Sequence, residues 1–169
     1  MIEIGTYSTC DKESVIALVL HCQNDGTRPL VGVEDQSDLL HIEEEYIYDG
    51  GNFWVAKENG KVAGTIGLMN KGNGLCILKK FFVYEPYRGK PHNLGQQLYG
   101  VFLEFAKLHG FSRIILDTPK NTDRAHLFYE KAGFRRIEKE ELRLSMIILT
   151  MIPTSFIWTY SVKAYGVTM

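Results

Sequence analysis

The chain has 169 residues, a formal net charge of −1 at pH 7 and 45% hydrophobic residues. This length and composition are typical of one globular domain with its own core, so we expect a single domain over residues 1–169. The small net charge gives no bulk attraction to nucleic acid or to an acidic membrane surface, and we expect neither as a partner.

Three cysteines, Cys10, Cys22 and Cys76, are spaced too widely for a metal-ligand pattern or a disulfide framework. We expect reduced thiols in a cytoplasmic protein, and no bound metal. The N-terminus lacks a basic region followed by an apolar run, so we expect no signal peptide. No apolar run reaches about 18 residues, so we expect no transmembrane helix.

The first third of the chain predicts one strand and two helices. Residues 2–7 alternate as a short strand does, and residues 13–23 carry an apolar stripe at helical spacing. A second helix is predicted over residues 37–46. Its last turn holds three consecutive acids, residues 43–45, and we expect most of them in solvent because they cannot share one helix face.

Three consecutive antiparallel strands are predicted next, over residues 53–57, 62–69 and 75–84. Asn59-Gly60 is the kind of pair that favours a two-residue hairpin turn between the first two strands. A second turn is expected over residues 70–74. The third strand is the central one.

The second half predicts a helix over residues 94–109, a buried strand at 114–116, a helix at 123–131 and a strand at 134–142. A strand, a helix of about four turns and another strand form a crossover, so the strand at 114–116 should run parallel to the central strand. The predicted order is β-α-α-β-β-β-α-β-α-β, an α/β fold with a mixed sheet. Residues 156–162 could supply a last strand.

The loop between the central strand and the long helix predicts a site for an anion. It contains Arg88, Gly89 and Lys90, and Gly95 opens the helix. The first-turn amides of a helix have no intrahelical partner, and the helix dipole adds partial positive charge. A phosphate-bearing ligand at the carboxyl end of the central strand is therefore expected.

Two motifs resemble those of the GNAT superfamily of acyl-CoA-dependent N-acetyltransferases. The first is FFVYEPYRGK at 81–90, followed by LGQQL at 94–98, and the second runs from Asn121 to FYEKAGF at 128–134. The similarity covers about residues 3–137 and is strongest over 50–137, whereas the tail, 143–169, is atypical. The resemblance implies a mixed, mostly antiparallel sheet with a splayed parallel pair at its centre, flanked by helices.

The resemblance also implies acetyl-CoA as cosubstrate. The loop amides and Arg88 would bind its pyrophosphate, its pantetheine arm would pair with the central strand like an added strand, and a backbone N–H near Val83 would steady the oxyanion. The implied cofactor-binding residues are Phe82, Val83, Tyr84, Arg88, Gly89, Lys90, His92, Asn93, Leu94, Gly95, Gln96, Asn121, Ala125, Phe128 and Lys131. Two alternatives stay open: His92 as an exposed loop residue, and Asn121 as a helix cap.

Tyr129 of the FYEKAGF motif is the implied catalytic acid. A phenol with a pKa near 10 can protonate a leaving thiolate whose pKa is near 8.5 without being ionised at rest. The alternative is a tyrosine that only packs. No general base is evident, and the candidates are Glu44, Glu45, Tyr84, His92 or a water relay.

The loop departs from the family pattern, arginine-Gly-x-Gly-x-Gly. Residues 91–94 stand before Gly95, so the loop is two residues longer, and Pro91 offers no N–H. One amide donor to phosphate is expected to be missing, and Asn93 is a candidate N-cap.

We therefore expect an N-acetyltransferase that acts by direct attack of a primary amine of a small molecule or an amino-acid-like acceptor. The alternatives are a protein or peptide N-acetyltransferase and a non-catalytic acyl-CoA-binding module. Residues 146–152 are almost wholly apolar, and this stretch suggests a contact in a homodimer.

Overall fold

The computed structural model describes residues 1–26, 29–143 and 155–163. The strands are β1 Ile2–Thr6, β2 Asn52–Glu58, β3 Lys61–Gly72, β4 Leu75–Val83, β5 Arg113–Pro119, β6 Arg135–Ile137 and β7 Ser155–Ser161. The helices are α1 Lys12–Gln23, α2 Ser37–Leu40, α3 Leu94–Leu108, α4 Asp123–Ala132 and α5 Lys139–Arg143. Residues 146–152, expected at a dimer contact, lie outside the described residues.

All seven strands form one sheet in the order β1-β2-β3-β4-β5-β7-β6. Only β4 and β5 run parallel, and every other neighbouring pair is antiparallel. Helix α3 connects the parallel pair, as the crossover argument predicts. The expected mixed α/β fold with a parallel pair at its centre is confirmed.

The parallel pair separates after three residues. Strand β4 pairs with β5 only where residues 75–77 meet residues 113–115. Beyond that point β4 stays paired with β3, and β5 stays paired with β7. The facing edges of residues 78–83 and 116–119 therefore diverge and open a gap in the middle of the sheet.

A β-bulge interrupts β4 beside this gap. Thr65 is paired with Phe82 and Gly67 with Lys79, so one residue of β3 lies opposite two residues of β4. Lys80, within the bulge, has a left-handed backbone conformation with φ of 53°. The Thr65 hydroxyl donates a hydrogen bond to the Lys80 carbonyl oxygen at 2.7 Å. The bulge breaks the alternation of side chains along β4.

Apolar side chains cover both faces of the sheet. One core lies under α3 and α4 and includes Leu98, Phe102, Leu116 and Trp158. The other face carries a core under α1 and α2, which includes Ile77, and a smaller cluster of Ile115, Ile137, Leu142 and Ile157. The sheet thus separates two sides of the molecule, and the gap between β4 and β5 lies between them.

The predicted strand over residues 134–142 is wrong beyond its first half. Strand β6 ends at Ile137, and Lys139–Arg143 forms the helix α5. The physical reason is local, because the consecutive Glu and Lys residues at 138–141 are good helix formers with no apolar alternation.

The predicted helix over residues 37–46 is also interrupted. Helix α2 ends at Leu40, His41 leaves helical conformation, and Glu43–Ile47 forms a π-helical turn. The Tyr46 side chain is fully buried, and its hydroxyl donates to the Asp38 carboxylate at 2.5 Å. Tertiary packing of this tyrosine accompanies the widened turn, which the sequence pattern does not show. Glu44 and Glu45 are exposed, as expected.

Two further details concern strand ends. Strand β3 extends to Gly72, so the predicted turn over residues 70–74 shrinks to Asn73-Gly74, both with positive φ. The last strand, expected over residues 156–162, is confirmed as β7. It lies between β5 and β6 rather than at the sheet edge.

Candidate active site

A cavity of about 580 Å³ fills the gap where β4 and β5 separate. Its walls are the diverging edges of both strands, the last turn of α1, the N-terminus of α3 and the first half of α4. Most of the predicted site residues line it: Phe82, Val83, Arg88, Gly89, Asn93, Gly95, Gln96, Asn121, Ala125, Phe128 and Tyr129. The splay thus brings together two motifs that are some 30 residues apart in the sequence.

Five predicted cofactor residues lie outside the cavity wall. The Leu94 side chain is fully buried in the core under α3. The Tyr84 ring packs on His21, and the His92 ring packs on Tyr87. The remaining two, Lys90 and Lys131, have exposed side chains on the surface.

The longer loop closes on itself before α3 begins. The Asn93 N–H donates to the Gly89 carbonyl at 2.6 Å, and the Gln97 side chain donates to the His92 carbonyl at 2.7 Å. Asn93 occupies the N-cap position, as expected, but in a left-handed conformation and without a side-chain cap bond. The next amides, at Gly95 and Gln96, belong to the first helical turn and border the cavity.

Arg88 is held at the end of β4. Its Nε donates to the Val83 carbonyl at 2.7 Å, and its guanidinium lies 3.9 Å from the Glu85 carboxylate. This contact positions the guanidinium between the strand end and the loop. The Arg88 guanidinium therefore places positive charge in the cavity wall, next to the end of β4.

Arg124, which is not among the residues predicted from the sequence, brings a second guanidinium to the same loop. A Cβ built on Gly89 would lie 3.7 Å from Arg124 Nη2, so the two are close neighbours. Arg124 is in the first turn of α4, where a basic side chain is opposed by the helix dipole. That unfavourable placement is the signal that could have identified it.

Asn121 lines the cavity but does not cap α4. The N-cap position belongs to Thr122, whose hydroxyl donates to the Pro119 carbonyl at 2.8 Å. The cap alternative for Asn121 is therefore wrong. Gly133, in left-handed conformation, ends α4 as predicted.

Tyr129 forms part of the cavity wall and is buried, with 6% of its surface exposed. Its ring contacts the rings of Phe81, Phe128 and Trp158. Burial raises the pKa of Tyr129 well above 10, and the neighbouring Tyr99 and Asp117 raise it further. The phenol therefore stays protonated at neutral pH and is a potential proton donor to a group in the cavity.

The cavity also reaches the side of the sheet that carries α1 and α2. Polar side chains not foreseen as site residues line this part: Gln23, Asp25, Lys79, Lys80 and Asp117. The Lys80 ammonium, with only 9% of its side chain exposed, donates to Gln36 Oε1 at 2.6 Å and lies 3.5 Å from Asp38. Gln36 and Gln23 exchange two amide hydrogen bonds of 2.7 Å.

None of the side chains suggested as general base lines the cavity. Glu44 and Glu45 are exposed on the π-helical turn, and Tyr84 and His92 pack elsewhere. The carboxylates that do border the cavity belong to Asp25, Asp117 and Asp123.

Among the residues that the structure describes, no group of three or more His, Cys, Asp or Glu side chains is arranged to hold a metal ion. Within that same part of the chain, every helix is too short or too polar to span a bilayer.

A splayed parallel pair with an arginine-containing loop beside the opening is typical of an acyltransferase fold, and the comparisons agree. The chain belongs to the acetyltransferase (GNAT) family, whose sequence model matches residues 18–134. It is similar to an acetyltransferase from Streptococcus agalactiae, with 36% identity, a TM-score of 0.88, and coverage of 95% of this chain and 98% of that one.

It is also similar to N-acetylaspartate synthetase from Xenopus tropicalis, with 35% identity over 104 residues. That match covers 60% of this chain and only 38% of the relative's length. An N-acetyltransferase from Thermoplasma acidophilum, solved in complex with coenzyme A, shares the fold, with a TM-score of 0.71 and 16% identity over 95% of this chain and 99% of that one.

Proposed function

We propose that this chain is an acetyl-CoA-dependent N-acetyltransferase that acetylates the primary amine of a small or amino-acid-like molecule. The observation that carries the proposal is the cavity in the β4–β5 gap, with the α3 N-terminus at one end and Tyr129 in its wall. Family membership supports the same chemistry.

The residues around the cavity fit coenzyme A. The amides that open α3 and the guanidinium groups of Arg88 and Arg124 provide donors for a pyrophosphate. The edge of β4 over residues 78–83 faces the gap, so its backbone can pair with the amides of a pantetheine arm as with an added strand. The loss of an N–H at Pro91 is offset by Arg124.

The bound cosubstrate supplies an acetyl thioester. A neutral amine of the acceptor attacks the thioester carbonyl carbon, a C–N bond forms and the C–S bond breaks. The departing sulfur takes the phenol proton of Tyr129, and the proton lost from the acceptor nitrogen restores that phenol. Backbone N–H groups of β4 near Val83 stabilise the oxyanion. Because the acceptor is an ammonium ion at neutral pH, it must lose a proton to solvent before attack.

A small acceptor suits the size of the cavity, since about 580 Å³ falls within the range of small-molecule sites. The name of the relative N-acetylaspartate synthetase supports an amino-acid acceptor. The proposal includes a cytoplasmic location, because all three cysteines are free thiols. It also includes a homodimer that uses the apolar residues 146–152, and a light-scattering mass of one chain would contradict this part.

The first test is a thermal shift with acetyl-CoA, free CoA and ATP. A ligand at 100 times its dissociation constant stabilises by about 2.7 kcal/mol, which for a chain of this size is a shift of roughly 5–10 °C. We expect this shift with acetyl-CoA and CoA but not with ATP. Arg88→Gln should reduce it strongly, whereas Lys61→Gln, at the exposed first position of β3, should leave it unchanged.

The second test is thiol release from acetyl-CoA in the presence of a panel of primary amines. Amine-dependent release is expected. A CoA-induced shift without release for any amine would replace the enzyme with a non-catalytic acyl-CoA-binding module. The absence of any shift would refute the cofactor site itself.

A further inference from the structure

Lys79 and Asp117 occupy equivalent positions on the two central strands, just past the point where the strands separate. The last paired residues of β4 and β5 are Ile77 and Ile115. Two positions further along each strand lie Lys79 and Asp117, and both line the cavity. Because both are two residues beyond the last pair, they lie at the same level of the two strands, one on each side of the gap.

Both side chains belong to the face of the sheet that carries α1 and α2. Ile77 packs in the core under α1 and α2, and Ile115 packs with Ile137 on that same side. Their sequence neighbours Cys76, Leu78, Ile114 and Leu116 pack on the opposite face, under α3. Since side chains alternate along a strand, Lys79 and Asp117 follow Ile77 and Ile115. They border the gap on the α1–α2 side of the sheet.

The bulge places two lysines in succession on this face. Without it, Lys80 would point toward α3, but its ammonium instead reaches Gln36 and Asp38 on the α1–α2 side. Lys79 is half-buried, and it makes no ion pair or hydrogen bond with any residue in the described ranges 1–26, 29–143 and 155–163. A half-buried ammonium in a cavity is a favourable site for an anionic group, because burial makes a charge costly unless an opposite charge accompanies it.

Asp117 presents the opposite charge across the gap. Asp117 lines the same cavity as Tyr129, and its negative charge contributes to the raised pKa of that phenol. A carboxylate there attracts the ammonium form of an acceptor and draws its nitrogen toward β5. The two opposite charges thus favour an acceptor that carries both an anionic and a cationic group, and they fix how that acceptor is oriented between β4 and β5.

We infer that the acceptor carries both an amine and a carboxylate, as an α-amino acid does, with Lys79 binding the carboxylate and Asp117 binding the ammonium group. This inference rests on the proposed function and narrows its substrate class. An amine without a carboxylate leaves Lys79 without a counterion in the complex, and its binding is weaker for that reason.

The test compares acceptors that differ only in the α-carboxylate. Suitable pairs are L-alanine with ethylamine, L-phenylalanine with phenethylamine, and L-lysine with cadaverine. Thiol release gives kcat/KM for each. For the unmutated protein, in at least one pair, we expect kcat/KM for the amino acid to exceed that for the matched amine by about 10- to 100-fold. This factor is the range for one hydrogen bond to a charged group.

Lys79→Met should remove this preference. Its kcat/KM for the amino acid should fall about 10- to 100-fold, while the value for the matched amine changes less than about threefold. Asp117→Asn should lower kcat/KM for both members of the pair. Lys61→Met, which removes an exposed lysine remote from the cavity, is the matched control and should change neither value. Lys79→Gln repeats the test with a polar replacement in case the methionine variant folds poorly.

Two results overturn the inference. One is a natural protein that acetylates amines with no preference for the carboxylated member of any pair. The other is a Lys79→Met variant that loses the same factor on both members while its KM for acetyl-CoA is unchanged. In either case the acetyltransferase proposal survives. If acetyl-CoA gives neither a thermal shift nor turnover with any amine, both proposals fall.

Discussion

The hydrogen bond from Thr65 to Lys80 gives a direct test of how the bulge shapes the site. Thr65 is fully buried, and its hydroxyl donates to the Lys80 carbonyl at 2.7 Å. Thr65→Val keeps the shape of the side chain and removes only the donor. A left-handed conformation at a non-glycine residue such as Lys80 costs about 1–2 kcal/mol, and this bond offsets part of that cost.

The loss of stability expected for Thr65→Val follows from these contacts. A carbonyl deprived of its partner costs about 1–3 kcal/mol, and the part-buried position of this bond favours the lower half of that range. For a chain of 169 residues, about 1–2 kcal/mol corresponds to a decrease in Tm of roughly 2–8 °C. We also expect KM for the amine acceptor to rise, because a relaxed bulge no longer directs Lys79 and Lys80 to the same face.

The assay combines thermal unfolding with acceptor kinetics. Thr65→Ser retains the hydroxyl and loses one methyl group, so it should cost about 1 kcal/mol and leave the acceptor KM unchanged. A Thr65→Val protein with the Tm and KM of the parent would refute the reasoning. A fall in Tm without a change in KM would limit the bond to a role in stability.

Three further predictions concern buried groups. Tyr129→Phe should lower kcat by about 10²- to 10⁴-fold with little change in KM for acetyl-CoA, and full activity across pH 6–9 would remove Tyr129 as the acid. Tyr99→Phe should raise Tm by roughly 2–6 °C, since its buried hydroxyl has no partner among the described residues, whereas a lower Tm would reveal a bonded hydroxyl. Burial raises the pKa of Cys76 to about 12, above a value of about 8.5 in the unfolded chain. As pH rises, the thiol therefore ionises first in the unfolded state. The free energy of unfolding should then decrease by up to about 1.4 kcal/mol per pH unit between about pH 8.5 and 12. Cys76→Ala should flatten this slope in denaturant titrations at pH 8–10.

The local sequence pattern was sufficient to predict the elements that depend on interactions between near neighbours in the chain. The Asn59-Gly60 pair predicted its hairpin, and both residues have the positive φ that such turns require. Gly133 predicted the end of α4 for the same reason. The helical spacing of apolar residues over 94–109 predicted α3 almost to its last residue. In each case the deciding interactions lie within a few residues of one another.

The residues of the candidate site likewise fall into two groups, those that a local motif identifies and those that it does not. Arg88, Gly89 and Tyr129 were identifiable because they belong to contiguous motifs. Lys79, Asp117 and Arg124 were not, because their importance depends on which strand or loop they meet. The interrupted helix after Ser37 escaped prediction since the burial of Tyr46 is a tertiary contact.

The sequence by itself therefore determined the strand–loop–helix order, and it identified Arg88, Gly89 and Tyr129 as residues of the candidate site. Only the tertiary structure decided where β4 and β5 part, that β7 lies between β5 and β6, and that the bulge turns two consecutive lysines to one face. The physical reason is that periodicity and turn chemistry act between near neighbours in the chain. Register, bulges and the meeting of charges across a gap arise from pairing between segments that are distant in the sequence.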